Sequence, residues 1–261
     1  MRLELQVLLS LLRRGSRHQL GDDRSQVADL HLPDGDGPFP VAVLLHGGYW
    51  QTRYSKLVMR PLALDLVARG WAAWNVEYRR LGESRGGGGG WPETFDDVAH
   101  AVDALAGLDA PLDLSQVVLV GHSAGGQLAL WAAGRAGLPD GAVGASPRVV
   151  SSAVLALAPV TNLERAREHA EQLLGGASAE VPERWAQADP VRRGAPGVPA
   201  LVVHTTSDET VPVARSREYA ALHGVPLVET TGRHRDPIDP SSAAWAAGVR
   251  WLEEQRSLDP R

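Results

Sequence analysis

The chain has 261 residues, no cysteine and a formal net charge of -5. These values exclude disulfides, thiolate metal sites and a cysteine nucleophile, and they leave no basic surface for nucleic acid. With 44% hydrophobic and 22% charged residues the composition is that of a globular chain long enough for one α/β core, read as a single domain over residues 1–261.

The first apolar run, residues 6–12, follows Glu4 and precedes no small-residue cleavage site, so an amphipathic helix is expected and not a secretion signal. No segment approaches the ~18 apolar residues of a membrane span; no membrane partner is expected, and the location is expected to be cytoplasmic. Residues 27–32 alternate apolar and polar, which predicts a half-exposed strand near the sheet edge. Residues 39–45, FPVAVLL, read as a strand covered on both faces, and they run directly into His46-Gly47-Gly48-Tyr49-Trp50. A helix is predicted over 56–69, stopped by Gly70 and kinked or started late by Pro61.

A third strand is predicted over 71–78. The five glycines at 86–90 lack the Gly-Lys-Ser/Thr ending of a phosphate loop and are expected to form a flexible surface loop. Pro92 suits the first turn of a helix over 92–106. Residues 117–127, VVLVGHSAGGQ, then give a strand, a sharp turn and the start of a helix running to 136. Further strands are predicted over 151–158, 200–204 and 227–230, with helices over 213–223 and 242–255. Residues 161–198 change composition and read as a small helical cap inserted over the site. Strands alternating with helices imply a mainly parallel sheet flanked by helices on both faces, with ligands bound beyond the carboxyl ends of the strands. Trp71, Trp74, Trp131 and Trp251 are expected to pack in the core.

The residues that leave those strands carry the chemistry. Gly121-His122-Ser123-Ala124-Gly125 fits G-x-S-x-G, in which a nucleophilic serine sits at the tip of a strand-to-helix turn. The helix that begins at Ala124 aims its free N–H groups and positive dipole end at any anion formed beside the serine. Serine catalysis also needs a base and a carboxylate to orient it. Asp208 follows the 200–204 strand, with Glu209 the second choice and a simple helix cap the structural alternative. His234 follows the last strand and is the expected base; His223 is better explained as a cation at a helix end. Gly48 and Tyr49, with Ala124, are the expected oxyanion donors, while His46 shapes that loop. Trp50, Trp91 and His122 are expected at the substrate. Arg53, Arg79 and Arg80 are placed either at a substrate carboxylate or on the solvated surface. No cofactor is expected, and nine histidines without carboxylate-rich spacing give no metal site.

Taken together, HGGYW, GHSAGG, the Asp208 loop with Val211-Pro212, and His234 before Ile238-Asp239-Pro240 resemble the α/β-hydrolase superfamily over essentially the whole chain. Within it the HGG loop resembles the hormone-sensitive-lipase-like esterases and, more closely, the arylformamidases (kynurenine formamidases), in which HGGYW is a hallmark. The resemblance implies an α/β-hydrolase fold and hydrolysis of small acyl esters or N-formyl aryl amides through Ser123, His234 and Asp208. Tyr49 stands where HGGG esterases carry glycine, which favours a small formyl or acetyl group over a bulky tertiary-alcohol ester. A prolyl-oligopeptidase-like peptidase and a non-catalytic α/β-hydrolase-fold binding protein are the competing readings. The partner expected is a small-molecule ester or amide, with a homodimer left open.

Overall fold

The computed structural model describes residues 15–257; the helix expected over 6–12 lies outside them. Eight strands form one sheet in the order β1-β2-β4-β3-β5-β6-β7-β8. They are β1 Ser16–Gln19, β2 Val27–His31, β3 Phe39–Leu45, β4 Ala72–Glu77, β5 Leu112–His122, β6 Ala153–Leu157, β7 Ala200–Thr205 and β8 Leu227–Thr230. The pairs β1/β2 and β2/β4 are antiparallel, and from β4 onward every pair is parallel. The helices are α1 Arg60–Ala68, α2 Glu93–Asp103, α3 Ala124–Ala133, α4 Arg167–Leu174, α5 Pro182–Ala188, α6 Pro190–Arg193, α7 Ala214–His223 and α8 Ala243–Ser257. Among the described residues no helix is long and apolar enough to cross a membrane.

The near-continuous apolar runs of the central strands fit a sheet buried on both faces, because successive side chains point to opposite sides. Val41, Val43 and Leu45 pack with Phe95, Val98, Leu128 and Trp131 in one core cluster. Ala42 and Leu44 pack with Leu62, Leu66, Trp245 and Leu252 in the other. Trp71, Trp74 and Trp131 are buried, and Trp251 packs half-buried against the second cluster.

Pro61 falls in the first turn of α1, after a 3₁₀ turn at Lys56–Met59, so the helix starts late and is not kinked. Residues 27–32 depart from expectation. β2 lies beside the edge strand β1, near the sheet edge as expected, but it is buried at every position instead of half-exposed. The polar positions that suggested exposure are covered instead: Asp29 forms an ion pair with the buried Lys56 ammonium.

Residues 161–198 form a 3₁₀ turn at Leu163–Ala166 followed by α4, α5 and α6. Leu163, Leu173, Leu174 and Trp185 from this stretch are fully buried in the first core cluster. The glycines at 86–90 are tied to their neighbours: Gly86 O accepts from Arg80 N at 3.0 Å, Gly89 N donates to Arg80 O at 2.8 Å, and Gly90 N donates to the Thr94 hydroxyl Oγ1 at 2.9 Å.

Candidate active site

Ser123 sits between the end of β5 and the start of α3 with φ 56° and ψ -119°, a strained conformation that pushes its side chain out of the turn. The flanking glycines are required by contact. A Cβ on Gly121 would collide with the Gly125 backbone, and one on Gly125 with the carbonyls of Leu45 and His46. The turn is also held from β6, since Ser123 N donates to Leu157 O at 2.9 Å.

The loops after β7 and β8 bring the other two groups to this tip. His234 Nε2 lies 3.0 Å from Ser123 Oγ, and its Nδ1 lies 2.6 Å from Asp208 Oδ2. Asp208 Oδ1 accepts from Thr210 N at 2.9 Å and from Val211 N at 2.8 Å. Asp208 thus shapes the turn before α7 and also orients His234; the two readings of this residue are compatible. Burial alone would raise its pKa. Hydrogen bonds from His204, His234 and the Val211 amide outweigh that and hold the carboxyl far below the usual carboxylate range. Glu209, the second choice, is exposed and outside this chain of contacts.

His122 is buried beneath the site and its Nε2 donates to the His234 carbonyl at 2.8 Å. Burial, with His234 as an unfavourable neighbour, pushes its pKa down to about 3, so it is a neutral support for the His234 loop.

The HGGYW loop leaves β3 on the other side of Ser123. A Cβ on Gly47 would lie 2.8 Å from Ser123 Cβ, which measures how closely the two turns approach. Gly48 has φ +116° and packs on the Tyr54 ring. Tyr49 has φ 54° and stacks on His169 of α4 with ring centroids 4.3 Å apart. His46 holds the loop in shape: its Nε2 donates to Glu77 Oε1 at 2.7 Å, its ring stacks on Tyr78 at 4.4 Å, and its carbonyl accepts from Tyr78 Oη at 2.6 Å.

A cavity of about 250 Å³ opens between these loops, lined by Gly47, Gly48, Tyr49 and Ser123 and by the side chains of Tyr54, Val58, His122, Thr210, His234, Arg235 and Ile238. Its volume lies at or below the small end of ordinary ligand sites. Two expected substrate contacts are not there. Trp50 is fully buried and turned inward by a φ of 57°, donating Nε1–H to Gln127 Oε1 at 3.2 Å. Trp91 packs on Phe95 at 4.8 Å and lines no part of the cavity. Arg79 is bound to Asp97 and Arg80 to Glu77, so neither guanidinium is offered to a ligand; Arg53 lies over the Tyr54 ring. Residues 161–198 contribute nothing to the lining and reach the site through His169 on Tyr49.

Four residues that sequence reasoning passed over belong to the site's framework. Glu77 anchors His46, and Gln127 links Trp50 to the Ala188 carbonyl. His204 and Ser216 lie behind Asp208. Usable signals existed for His204 and Glu77, each a polar residue at the carboxyl end of a buried strand. Among the described residues no group of three or more histidine and acidic side chains is arranged to hold a metal.

Known proteins share this arrangement of elements. The chain is 27% identical over 217 residues to esterase LipC of Mycobacterium tuberculosis (strain ATCC 25618 / H37Rv), a match covering 76% of this chain and 52% of that protein. The chain therefore spans about half the length of that curated relative. Among solved structures it is similar to a truncated form of a carbohydrate esterase from gut microbiota, with a TM-score of 0.75 at 18% identity over 94% of this chain and 97% of that one. It is also similar to propionate-bound Est2 esterase of Thermogutta terrifontis (TM-score 0.75, 20% identity, 96% and 97% covered) and to an inhibited esterase B of Lactobacillus rhamnosis (TM-score 0.77, 17% identity, 98% and 91% covered). At these identities the likeness is one of fold, the α/β-hydrolase fold. The profile of the BD-FAE family matches residues 28–222, and with most of its length inside that match the chain belongs to the BD-FAE family.

Proposed function

We propose that the protein is a serine hydrolase of small acyl esters, with N-formyl aryl amides as a second substrate class, acting through an acyl-enzyme. The observation that carries this reading is the unbroken run of contacts from Asp208 Oδ2 through the His234 ring to Ser123 Oγ, at 2.6 Å and 3.0 Å. Asp208 fixes the His234 tautomer with its proton on Nδ1, so that Nε2 is free to take the serine proton. Ser123 Oγ attacks the acyl carbonyl as that proton leaves, and the amides of Gly48, Tyr49 and Ala124 receive the oxyanion. His234 then protonates the departing alcohol or amine. Water repeats the cycle on the acyl-enzyme.

Cavity size supports a short acyl group. The space of about 250 Å³ beside Ser123, walled by Tyr49, Tyr54, Val58 and Ile238, suits a short acyl group and disfavours a long one. The relationship to a protein named as an esterase agrees with this reading. A formyl group needs less room still, which keeps the formamide class open at the same site. The test is a parallel assay of p-nitrophenyl acetate, butyrate and octanoate and of N-formylkynurenine, with Ser123→Ala as control. Turnover falling from acetate to octanoate and abolished in the control is expected; preference for octanoate, or activity surviving in the control, rejects the proposal. A large preference for the formamide assigns the formamidase class.

A further inference from the structure

A second imidazole approaches Asp208, and the hydrolytic cycle does not use it. His204, the penultimate residue of β7, is fully buried and places Nε2 3.1 Å from Asp208 Oδ2 and 2.8 Å from the Val211 carbonyl. Its Nδ1 lies 2.7 Å from Ser216 Oγ in the first turn of α7. Both neighbours of Nε2 can only accept, so this nitrogen carries the proton, and Nδ1 accepts the Ser216 hydroxyl. The ring is thereby satisfied within the protein and presents nothing to the cavity.

Asp208 consequently receives four N–H groups, two backbone amides on Oδ1 and two imidazoles on Oδ2. The two imidazoles differ in consequence. His234 must change its charge during the cycle, whereas His204 is locked by a hydroxyl on one side and a carbonyl on the other. A carboxylate oxygen already engaged by a fixed donor is held in one rotamer and has less charge left to stabilise a cation beside it.

We propose, on the basis of the hydrolytic reading above, that His204 is a positioning residue: locked by Ser216, it aims Asp208 Oδ2 at His234 and limits how strongly that carboxylate stabilises the imidazolium formed when His234 Nε2 takes the Ser123 proton. Two effects follow when the donor is lost. Asp208 is less well aimed, which slows turnover. Its oxygen also attracts the His234 proton more strongly, which moves the acid limb of the pH profile upward. Other titratable groups face the pair from neighbouring elements: His122 from β5, Arg235 beside His234, Tyr49 from the HGGYW loop and Arg215 from α7. All of them remain when His204 is replaced.

The experiment compares the full chain with His204→Leu, His204→Gln and Ser216→Ala, measuring kcat, KM and the pH midpoint of kcat/KM on p-nitrophenyl acetate, with thermal melting as a check of folding. His204→Leu is expected to lose about 10- to 100-fold in kcat and to raise the acid-limb midpoint by roughly half a unit or more. Ser216→Ala shifts both in the same direction by less. His204→Gln, whose amide N–H reaches toward the same oxygen, recovers most of both. An unmoved midpoint in a folded His204→Leu or Ser216→Ala variant overturns the proposal, as does a His204→Gln variant no better than His204→Leu. If His204→Leu does not fold, Ser216→Ala and His204→Gln decide the matter. Activity surviving in Ser123→Ala rejects the hydrolytic reading itself; wild-type profiles in the three variants, with Ser123→Ala inactive, reject only the role of His204.

Discussion

Two histidine–carboxylate pairs of nearly equal length flank the same serine. His234 and Asp208 meet at 2.6 Å, and His46 and Glu77 meet at 2.7 Å. What separates them is the second ring nitrogen. In His234 it lies 3.0 Å from the serine hydroxyl and the side chain is 15% exposed at the cavity. In His46 it lies 2.8 Å from the Gly47 carbonyl and the side chain is 1% exposed. A histidine beside a carboxylate becomes a base when its free nitrogen opens onto a reacting atom; enclosed on both sides, the same pair is a brace.

On the proposed hydrolytic reading, loss of Ser123 or of its histidine–carboxylate pair gives the largest effects. Ser123→Ala and His234→Ala are each expected to lower kcat by about 10⁶-fold, as in serine triads that act as a unit. Asp208→Asn should cost about 10⁴-fold while leaving the fold intact, because it reverses the tautomer and not the position of His234. Steady-state assays of purified variants with matched melting temperatures measure these losses. A loss below tenfold for either Ser123→Ala or His234→Ala would dissolve the distinction between the two pairs.

Breaking the brace should act differently. Glu77 takes His46 Nε2–H and an Arg80 contact on Oε1 and the Lys56 amide on Oε2. Burial would raise its pKa, and His46, Arg80 and the Lys56 amide together lower it. Glu77→Gln must turn an amide donor toward one of these donors, so the start of the HGGYW loop loses its seat. The expected result is a fall in kcat of about 10²- to 10³-fold, the scale of a lost oxyanion donor, with the acid limb of the pH profile unmoved. A moved limb would mean that His46 takes part in proton transfer, contrary to the comparison.

The two pairs also differ in how far the sequence reveals them. That Ser123, Asp208 and His234 come together was legible because each follows a strand end, and the parallel fold gathers strand exits on one edge. Glu77 is the last residue of β4, and it was passed over because the strand predicted over 71–78 ran past it. Trp50 and Trp91 were misplaced because their direction depends on tertiary packing: one positive φ turns Trp50 into the core against Gln127. The strand Ser16–Gln19 was missed for a related reason. SRHQ has no apolar signal of its own and exists by pairing with β2, in the register Ser16 to Leu30.

Histidines without a carboxylate partner sharpen the comparison further, through stability. His31 and His122 are both buried, and burial is the largest cause lowering their pKa values, to about 4 and about 3 from the ordinary 6.5. A group with a folded value below its unfolded value binds protons more readily in the unfolded chain. Its contribution is therefore fully present above pH 6.5 and is lost as pH falls toward 4 for His31 and toward 3 for His122. Each can steepen the loss by up to about 1.4 kcal/mol per pH unit within its window. Asp208 behaves as an acid with a lowered pKa, so its contribution persists down to its ordinary value of 3.8 and is lost below it. Denaturant unfolding followed between pH 7 and pH 4 should show stability falling with acid, and His31→Phe should flatten that slope without touching the triad. An unchanged slope in His31→Phe would mean that the ring is protonated in the folded protein despite having no carboxylate of its own.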